Sequence, residues 1–160
     1  MAERIGFGGS CHWCTEAIFQ SLIGVVKVQQ GWISAREDEA FHEGVIVDFS
    51  PERISSKILI EVHLRTHSST SDHILRKRYR SAIYAFSDTQ KNEVQKMLDA
   101  LQAKFKQRLV TRVYRFKDFK TSEESFQNYY KKNPGKPFCK SYIDPKLKLI
   151  YKEFSAFVQS

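Results

Sequence analysis

The sequence lacks the features that mark membrane-spanning, exported or disulfide-rich proteins. No apolar run reaches the roughly 18 residues that a transmembrane helix needs, and the first ten residues lack the apolar stretch of a signal peptide. The chain has three cysteines, a small and odd number for a disulfide framework. It contains no internal repeat and no low-complexity linker. We therefore expect a soluble, unexported, cytoplasmic protein whose cysteines are thiols.

The remaining composition is that of one ordinary globular domain. The chain has 160 residues, of which 41% are hydrophobic and 13% aromatic, which is enough to bury a core. The net charge is +8, but the basic residues are spread out, with modest clusters at Arg76-Lys77-Arg78 and Lys131-Lys132. Such clusters are typical of solvated faces. We expect a single domain over 1–160 that is a monomer and has no membrane or specific nucleic-acid partner.

Strand and helix patterns alternate along the chain. The predicted strands cover 5–7, 25–33, 44–49, 81–86 and 110–114, and helices are predicted to begin at Cys11, Ser50-Pro51, Ser87, Thr121 and Pro145. Ser87 with Gln90 and Thr121 with Glu124 have capping-box spacing. The polar stretch 67–78 is expected to be a loop, and residues from about 133 to 160 a mobile tail with a terminal helix. The pattern favours an α+β domain with helices packed on a mixed sheet.

Cys11 is the residue with the clearest chemical signal. It follows a predicted strand and the Gly8-Gly9 turn, and it opens a predicted helix. Free backbone N–H groups and the positive end of the helix dipole meet there, and both favour a thiolate. This placement predicts a low pKa and a nucleophilic sulfur.

Two other interpretations of Cys11 and Cys14 remain open at this point. The Cys-x-x-Cys spacing is also that of a thioredoxin-like dithiol pair, and a cysteine is often simply a small buried residue. The same spacing suits metal ligands, but no second pair follows and His12 lies inside the first. We therefore predict no metal site.

Several segments, in order along nearly the whole chain, carry a family resemblance. Gly9-Ser10-Cys11-His12-Trp13-Cys14-Thr15-Glu16 resembles the Gly-Cys-Phe-Trp signature of the A-class peptide-methionine sulfoxide reductases. Residues 79–84, Tyr-Arg-Ser-Ala-Ile-Tyr, are similar to that family's Tyr-Arg-Ser-x-Ile-Tyr segment. The 123–129 stretch and Lys132-Asn133-Pro134 followed by Cys139 resemble its late helix and its C-terminal cysteine segment. The resemblance implies a ferredoxin-like α/β core.

The resemblance also implies roles for individual residues. Cys11 is the nucleophile that attacks the sulfoxide sulfur, Glu43 the general acid, and Tyr79 a hydrogen-bond donor to the oxide. The substrate pocket is expected to contain His12, Trp13, Trp32 and Tyr129. The implied substrate is the S epimer of methionine sulfoxide, free or in proteins. No bound cofactor is implied, and thioredoxin or another dithiol is the reductant.

The cysteine that resolves the sulfenic acid has two candidates. Cys139 matches the C-terminal cysteine of the family and is preferred, with Cys14 as the alternative or a relay. The sequence also departs from the family: His12 replaces the signature Phe, and Ser125 and Phe126 replace Tyr and His. The stretch between Gly31 and Glu43 is short, and Asp72 is out of register with the family's aspartate. A degenerate homologue that binds a partner is therefore the alternative to an active reductase.

Overall fold

A computed structural model describes residues 2–67, 69–71 and 79–159 of the chain. The strands within these residues are β1 (Glu3–Gly8), β2 (Val25–Ala35), β3 (Phe41–Phe49), β4 (Ala82–Ala85) and β5 (Arg112–Thr121). The helices are α1 (His12–Gln20), α2 (Ser56–Thr66), α3 (Asp88–Leu101), α4 (Tyr129–Lys132) and α5 (Asp144–Glu153), and a π-helical turn, Cys139–Ile143, leads into α5. Most of the predicted 67–78 loop, including Arg76-Lys77-Arg78 and Asp72, lies outside the described residues.

The five strands form one mixed sheet that closes into a barrel. Their order is β1-β3-β2-β5-β4, and β4 returns to β1 through the pairing of Tyr84 with Gly6. The β4–β5 pair is parallel and the other pairs are antiparallel. The predicted α+β class, with a mixed sheet and packed helices in one domain, is confirmed. Closure of the sheet was not predicted, because the pairing of β1 with β4 joins segments that are distant in sequence.

Successive side chains of β1 point alternately to two parts of the core, the side covered by the helices and the interior of the barrel. Ile5 and Phe7 are fully buried on the side of the helices, where Phe7 stacks on Phe19 of α1 with ring centroids 4.6 Å apart. Gly6 faces the barrel interior, where a Cβ would lie only 2.8 Å from Ile33 and 2.9 Å from Tyr84. Burial of each such large side chain contributes about 1.5–3 kcal/mol to folding. The last turn of α1, which contains Phe19, is thereby packed against β1.

Helix starts follow local capping signals in one case and tertiary packing in another. Ser87 caps α3, since its Oγ accepts the Gln90 N–H at 3.0 Å, and this prediction is confirmed. The helix predicted at Ser50-Pro51 begins instead at Ser56, with Ser55 as its cap. Residues 50–54 form a turn that buries Ile54 in the core, and α2 starts only after that anchor.

The helix predicted from Thr121 is wrong. Strand β5 continues to Thr121, a 3-10 turn spans Glu124–Phe126, and α4 begins only after Asn128, which has a left-handed φ of 57°. The capping-box pattern is overridden because the buried Gln30 side chain binds this segment: its amide donates to the Phe126 carbonyl at 2.7 Å. Long-range hydrogen bonds decide the local structure here.

Candidate active site

The turn between β1 and α1 presents Cys11 at the start of the helix, as predicted from the sequence. Gly9 has φ +149°, and a Cβ there would lie 2.6 Å from the His67 ring, so only glycine fits without strain. Cys11 then occupies the N-cap position of α1, and its carbonyl accepts the N–H groups of Cys14 and Thr15. The Cys11 side chain is half-buried at the end of the barrel.

Cys11 and Cys14 lie one helical turn apart at the start of α1, and Cys11 packs against the cluster that contains Cys14. The interaction with Cys14 and then burial raise the pKa of Cys11, although the Trp13 N–H acts to lower it. The interaction with Cys11 lowers the pKa of Cys14. The helix start alone predicted a low pKa for Cys11; the neighbouring thiol and burial act against that prediction, and the two thiols titrate as a pair.

Glu43 lies on β3 beside the first turn of α1. Its side chain is buried, with 3% of its surface exposed, and its Oε1 accepts the backbone N–H of His12 at 3.2 Å. The His12 ring turns towards β2, where Nδ1 donates to the Gly31 carbonyl at 2.9 Å and lies 3.7 Å from the same Glu43 oxygen. Glu43 also interacts electrostatically with both thiols of the pair. The structure thus brings Glu43, His12 and Cys11 together.

Two other acids, Glu37 and Glu39 in the short β2–β3 connection, lie away from the start of α1. Glu37 pairs with Lys91 at 3.0 Å, and Glu39 has a left-handed φ of 61° and pairs with Lys117. Both pairs are on the exposed surface. Of these acids, Glu43 is the one placed at the start of α1.

Tyr79 is half-buried and directly precedes Arg80. The carbonyls of Arg80 and Glu43 both border Gly8, at 3.0 and 3.1 Å from where a Cβ would stand. Arg80 itself is held by Asp38 and by the Tyr84 hydroxyl, and its guanidinium covers the Tyr114 ring at 4.1 Å. This anchoring fixes the backbone from which the Tyr79 side chain extends.

Aromatic rings around Trp13 form a second wall of the candidate site. Trp13 stacks on Tyr129 with centroids 4.0 Å apart and an interplanar angle of 4°. Phe126 and Phe138, which sequence reasoning missed as wall residues, lie 5.7 and 5.5 Å from Trp13. Because their contacts join distant segments, spacing in the sequence gave no signal for them.

Trp32 meets the edge of the site from strand β2. It is paired opposite Glu43 in the β2–β3 register, and the rings of Trp32 and His12 are 5.2 Å apart at 76°. With 39% of its surface exposed, Trp32 lies at the rim of the site. The four predicted pocket residues, His12, Trp13, Trp32 and Tyr129, are therefore linked by ring contacts around the start of α1.

A buried carboxylate that the sequence analysis overlooked holds this wall in place. Glu16 is fully buried; its Oε2 accepts the Asn128 N–H at 2.8 Å, and its Oε1 accepts the Tyr129 N–H at 3.1 Å and the Gln30 amide at 2.7 Å. Burial raises the pKa of Glu16, and these donors oppose that shift. The one available signal was a glutamate in a helix whose neighbouring residues are nearly all apolar.

The third thiol lies behind the pair. Cys139 is fully buried in a cluster with Cys14, Ala17 and Ile143, against which Cys11 is partly packed. Burial and the charge of Asp144 raise the pKa of Cys139. In this structure the 139–153 segment is helical, and the mobility expected for residues 133–160 stays a prediction.

Among residues 2–67, 69–71 and 79–159, no group of three His, Cys, Asp or Glu side chains is placed to hold a metal ion. No helix in the described part of the chain has the length and apolar character needed to cross a membrane.

An α+β barrel gathers three thiols and a buried carboxylate near one helix start, an arrangement that is typical of thiol-based redox enzymes. A model of the family described as peptide methionine sulfoxide reductase matches residues 3–157. Peptide methionine sulfoxide reductase MsrA of Trichodesmium erythraeum is 32% identical, over 96% of this chain and 97% of its own length. The MsrA of Deinococcus radiodurans is 34% identical, over 91% and 79%.

The solved structures agree on the fold. Reduced Mxr1 from Saccharomyces cerevisiae superposes with a TM-score of 0.76 at 24% identity, covering 88% of this chain and 91% of its own. Methionine sulfoxide reductase A of Corynebacterium diphtheriae gives 0.69 at 23% identity, with 83% and 76% covered. The chain belongs to the peptide methionine sulfoxide reductase family, in its A class, and is a methionine sulfoxide reductase.

Proposed function

We propose that the chain reduces the S epimer of methionine sulfoxide, free or in proteins, by attack of Cys11 on the sulfoxide sulfur. The observation that carries this mechanism is the placement of the buried Glu43 carboxyl beside the helix start that presents Cys11. As the Cys11 thiolate attacks, Glu43 delivers a proton to the oxygen, and Tyr79 donates a hydrogen bond to it. The sulfoxide gains two electrons and leaves as methionine, while Cys11 is oxidised to a sulfenic acid.

The aromatic wall would hold the substrate. Trp13, backed by Tyr129, offers an apolar face to the sulfoxide methyl group, and His12 and Trp32 close the side nearest β2. The indole N–H of Trp13 is buried and has no acceptor among the described residues. It is therefore available to an acceptor of a bound substrate.

The sulfenic acid would then be resolved within the same cluster. A second thiol attacks the Cys11 sulfur, forms a disulfide and releases the oxygen as water. Cys139 is the proposed resolving residue and Cys14 the relay, since Cys14 contacts both Cys11 and the Cys139 cluster. A Cys11–Cys14 bond spans one helical turn, so the first turn of α1 must open to form it.

An external dithiol completes the cycle. We propose thioredoxin or a similar dithiol as the reductant, and a monomer acting in the reducing cytoplasm, without a bound cofactor. Mxr1 from Saccharomyces cerevisiae, whose structure superposes on this chain with a TM-score of 0.64, has been solved in complex with Trx2.

A single-turnover reaction tests the mechanism. Prereduced protein is mixed with each epimer of N-acetyl-methionine sulfoxide, and the methionine formed and the thiols lost are counted. We expect one methionine from the S epimer, loss of two thiols, and no product from Cys11→Ser. Product from neither epimer, in folded and reduced protein, would contradict the mechanism and favour a degenerate homologue that binds a partner. If Cys11→Ser retained activity, Cys11 would not be the nucleophile.

The same single-turnover reaction distinguishes the proposed reductase from a thioredoxin-like dithiol exchanger. A thioredoxin-like exchanger requires Cys14 as much as Cys11 and does not require Cys139. We expect Cys139→Ser to form one methionine in a single turnover and then to fail with a dithiol reductant.

A further inference from the structure

Two histidines lie against the turn that presents Cys11. His63 on α2 is buried, and its Nε2 donates to the Gly8 carbonyl at 2.7 Å. His67 follows the end of the same helix, and its ring packs so closely against Gly9 that a Cβ there would lie 2.6 Å from it. The centroids of the two imidazole rings are 4.2 Å apart. The mechanism proposed above uses neither ring.

The hydrogen bonds of these side chains run in one direction. Because a carbonyl only accepts, the bond from His67 Nδ1 to the His63 carbonyl places the proton of a neutral His67 ring on Nδ1. The His67 Nε2 then accepts the Ser81 hydroxyl at 2.7 Å. The Ser81 oxygen in turn accepts the Thr111 hydroxyl at 2.6 Å, and both hydroxyl side chains are buried. A buried chain of donors therefore leads from Thr111 through Ser81 and His67 to His63.

His67 bridges two segments that extend beyond the β1–β4 pairing, which ends at the last residue of β1. On one side the ring packs against Gly9, and on the other it is hydrogen-bonded to Ser81. Cys11 lies two residues after the first contact, and Tyr79 lies two residues before the second. A ring that is held on both sides can fix the spacing of these segments where the strand pairing no longer does.

We propose that His67, with His63 behind it, is a positioning residue that holds the Cys11 turn in place relative to the Tyr79 segment. The proposal deepens the reductase mechanism and rests on it for the roles of Cys11 and Tyr79. In that mechanism the nucleophile and the hydrogen-bond donor must meet one sulfoxide group, so a small displacement of either segment lowers kcat. His67 acts on the reaction only through these two segments, and the bond from His63 to Gly8 supports the turn from the side of α2.

The first measurement follows the two segments without any sulfoxide. Amide hydrogen exchange is measured in peptic peptides that cover residues 8–15 and 79–85, with β3 as the internal reference. His67→Phe keeps an aromatic ring but removes both of its hydrogen bonds, and Ser81→Ala removes one of these bonds from the other side. We expect roughly fivefold faster exchange of both peptides in each variant, the factor that corresponds to one ordinary hydrogen bond.

Ser69→Ala is the matched control for this measurement. It removes a buried hydroxyl at the same end of α2, but that hydroxyl donates to the Leu64 carbonyl instead of joining the histidine chain. Exchange in S69A should follow wild type. Unchanged exchange of the 8–15 peptide in H67F and S81A would overturn the proposal, and so would equal acceleration in β3, which would show general loosening. Circular dichroism checks the fold, and S81A decides the test if H67F does not fold.

The second measurement is steady-state reduction of the S epimer. We expect kcat of H67F and S81A to fall about tenfold and KM to stay within about twofold, because the variants displace the reacting groups and leave the aromatic pocket intact. S69A should keep the wild-type kcat. A merely structural role would leave kcat of the folded variants unchanged, and this result would also overturn the proposal. Faster exchange in H67F, together with no methionine from wild type, would support the positioning by His67 and reject the reductase mechanism.

Discussion

The site has two walls of different construction, one from the barrel and one from the C-terminal segment. On the barrel side, Glu43 and Gly8 lie on neighbouring strands in regular register, and the backbone fixes their positions. On the other side, Tyr129 and Cys139 lie in a four-residue helix and a π-helical turn. Side-chain contacts with α1 hold these elements. The rigid wall carries the proposed acid, and the second wall carries the proposed pocket and the resolving thiol.

Two buried glutamates, Glu43 and Glu16, differ in the same way as the two walls of the site. Glu43 faces the first turn of α1, where it accepts the His12 N–H. Glu16, one turn further along, has three N–H donors and ties residues 128–129 to the helix. The proposed mechanism gives the first carboxyl a chemical role and the second a supporting one. Substituting them should therefore affect different measurements.

The largest effect is expected for Glu43→Gln. The amide oxygen can still accept the His12 N–H, so the fold should be retained, but the side chain no longer supplies a proton to the oxide. Loss of a general acid reduces the rate by roughly 10²–10⁴-fold, and we expect this loss in kcat of S-epimer reduction. Glu37→Gln, which alters an exposed ion pair, is the matched control and should stay within about twofold of wild type. Equal rates in both variants would remove Glu43 from the mechanism.

Glu16→Ala should act mainly on stability and on substrate binding. It leaves three N–H donors without their acceptor, at about 1–3 kcal/mol each when they remain buried. We expect the free energy of unfolding to fall by roughly 3 kcal/mol, measured by urea denaturation. KM should rise because Tyr129 no longer holds Trp13, while kcat changes little.

Glu16→Gln removes the charge of the Glu16 side chain but keeps its size, so it shows how much of the loss in Glu16→Ala comes from the missing side chain. The amide oxygen can still accept from Tyr129 and Gln30, but the NH₂ group then faces the Asn128 N–H. We expect about a third of the loss seen in the alanine variant, since one bond of the three is broken. A fall in kcat as large as that of Glu43→Gln, with unchanged KM, would contradict the division between the two walls.

The two walls also differ in how far the sequence predicts them. The strand–glycine–helix pattern predicted the position of Cys11, and the capping box at Ser87 predicted the start of α3, because both depend on residues a few positions apart. Residues 121–130 carry a capping box too, but they are bound by side chains as far as 113 positions away in sequence. No local pattern contains that information.

The electrostatics of the site were the least predictable part. The helix start does act to lower the Cys11 pKa through the Trp13 N–H, as expected. The interaction with Cys14, one helical turn away, and burial outweigh it. The burial depends in part on packing against the C-terminal segment.

The smallest effect is expected for Ser87→Ala. This variant tests whether a general loss of stability raises KM at the site. The substitution removes the hydroxyl that accepts the Gln90 N–H, and loss of such a cap costs about 1 kcal/mol. The urea midpoint should fall, while kcat and KM for the S epimer stay at wild-type values, since α3 does not contribute to the site. If KM rose in proportion to the lost stability, the KM effect of Glu16→Ala would reflect global loosening. An unchanged KM would assign that effect to the contact between Glu16 and residues 128–129.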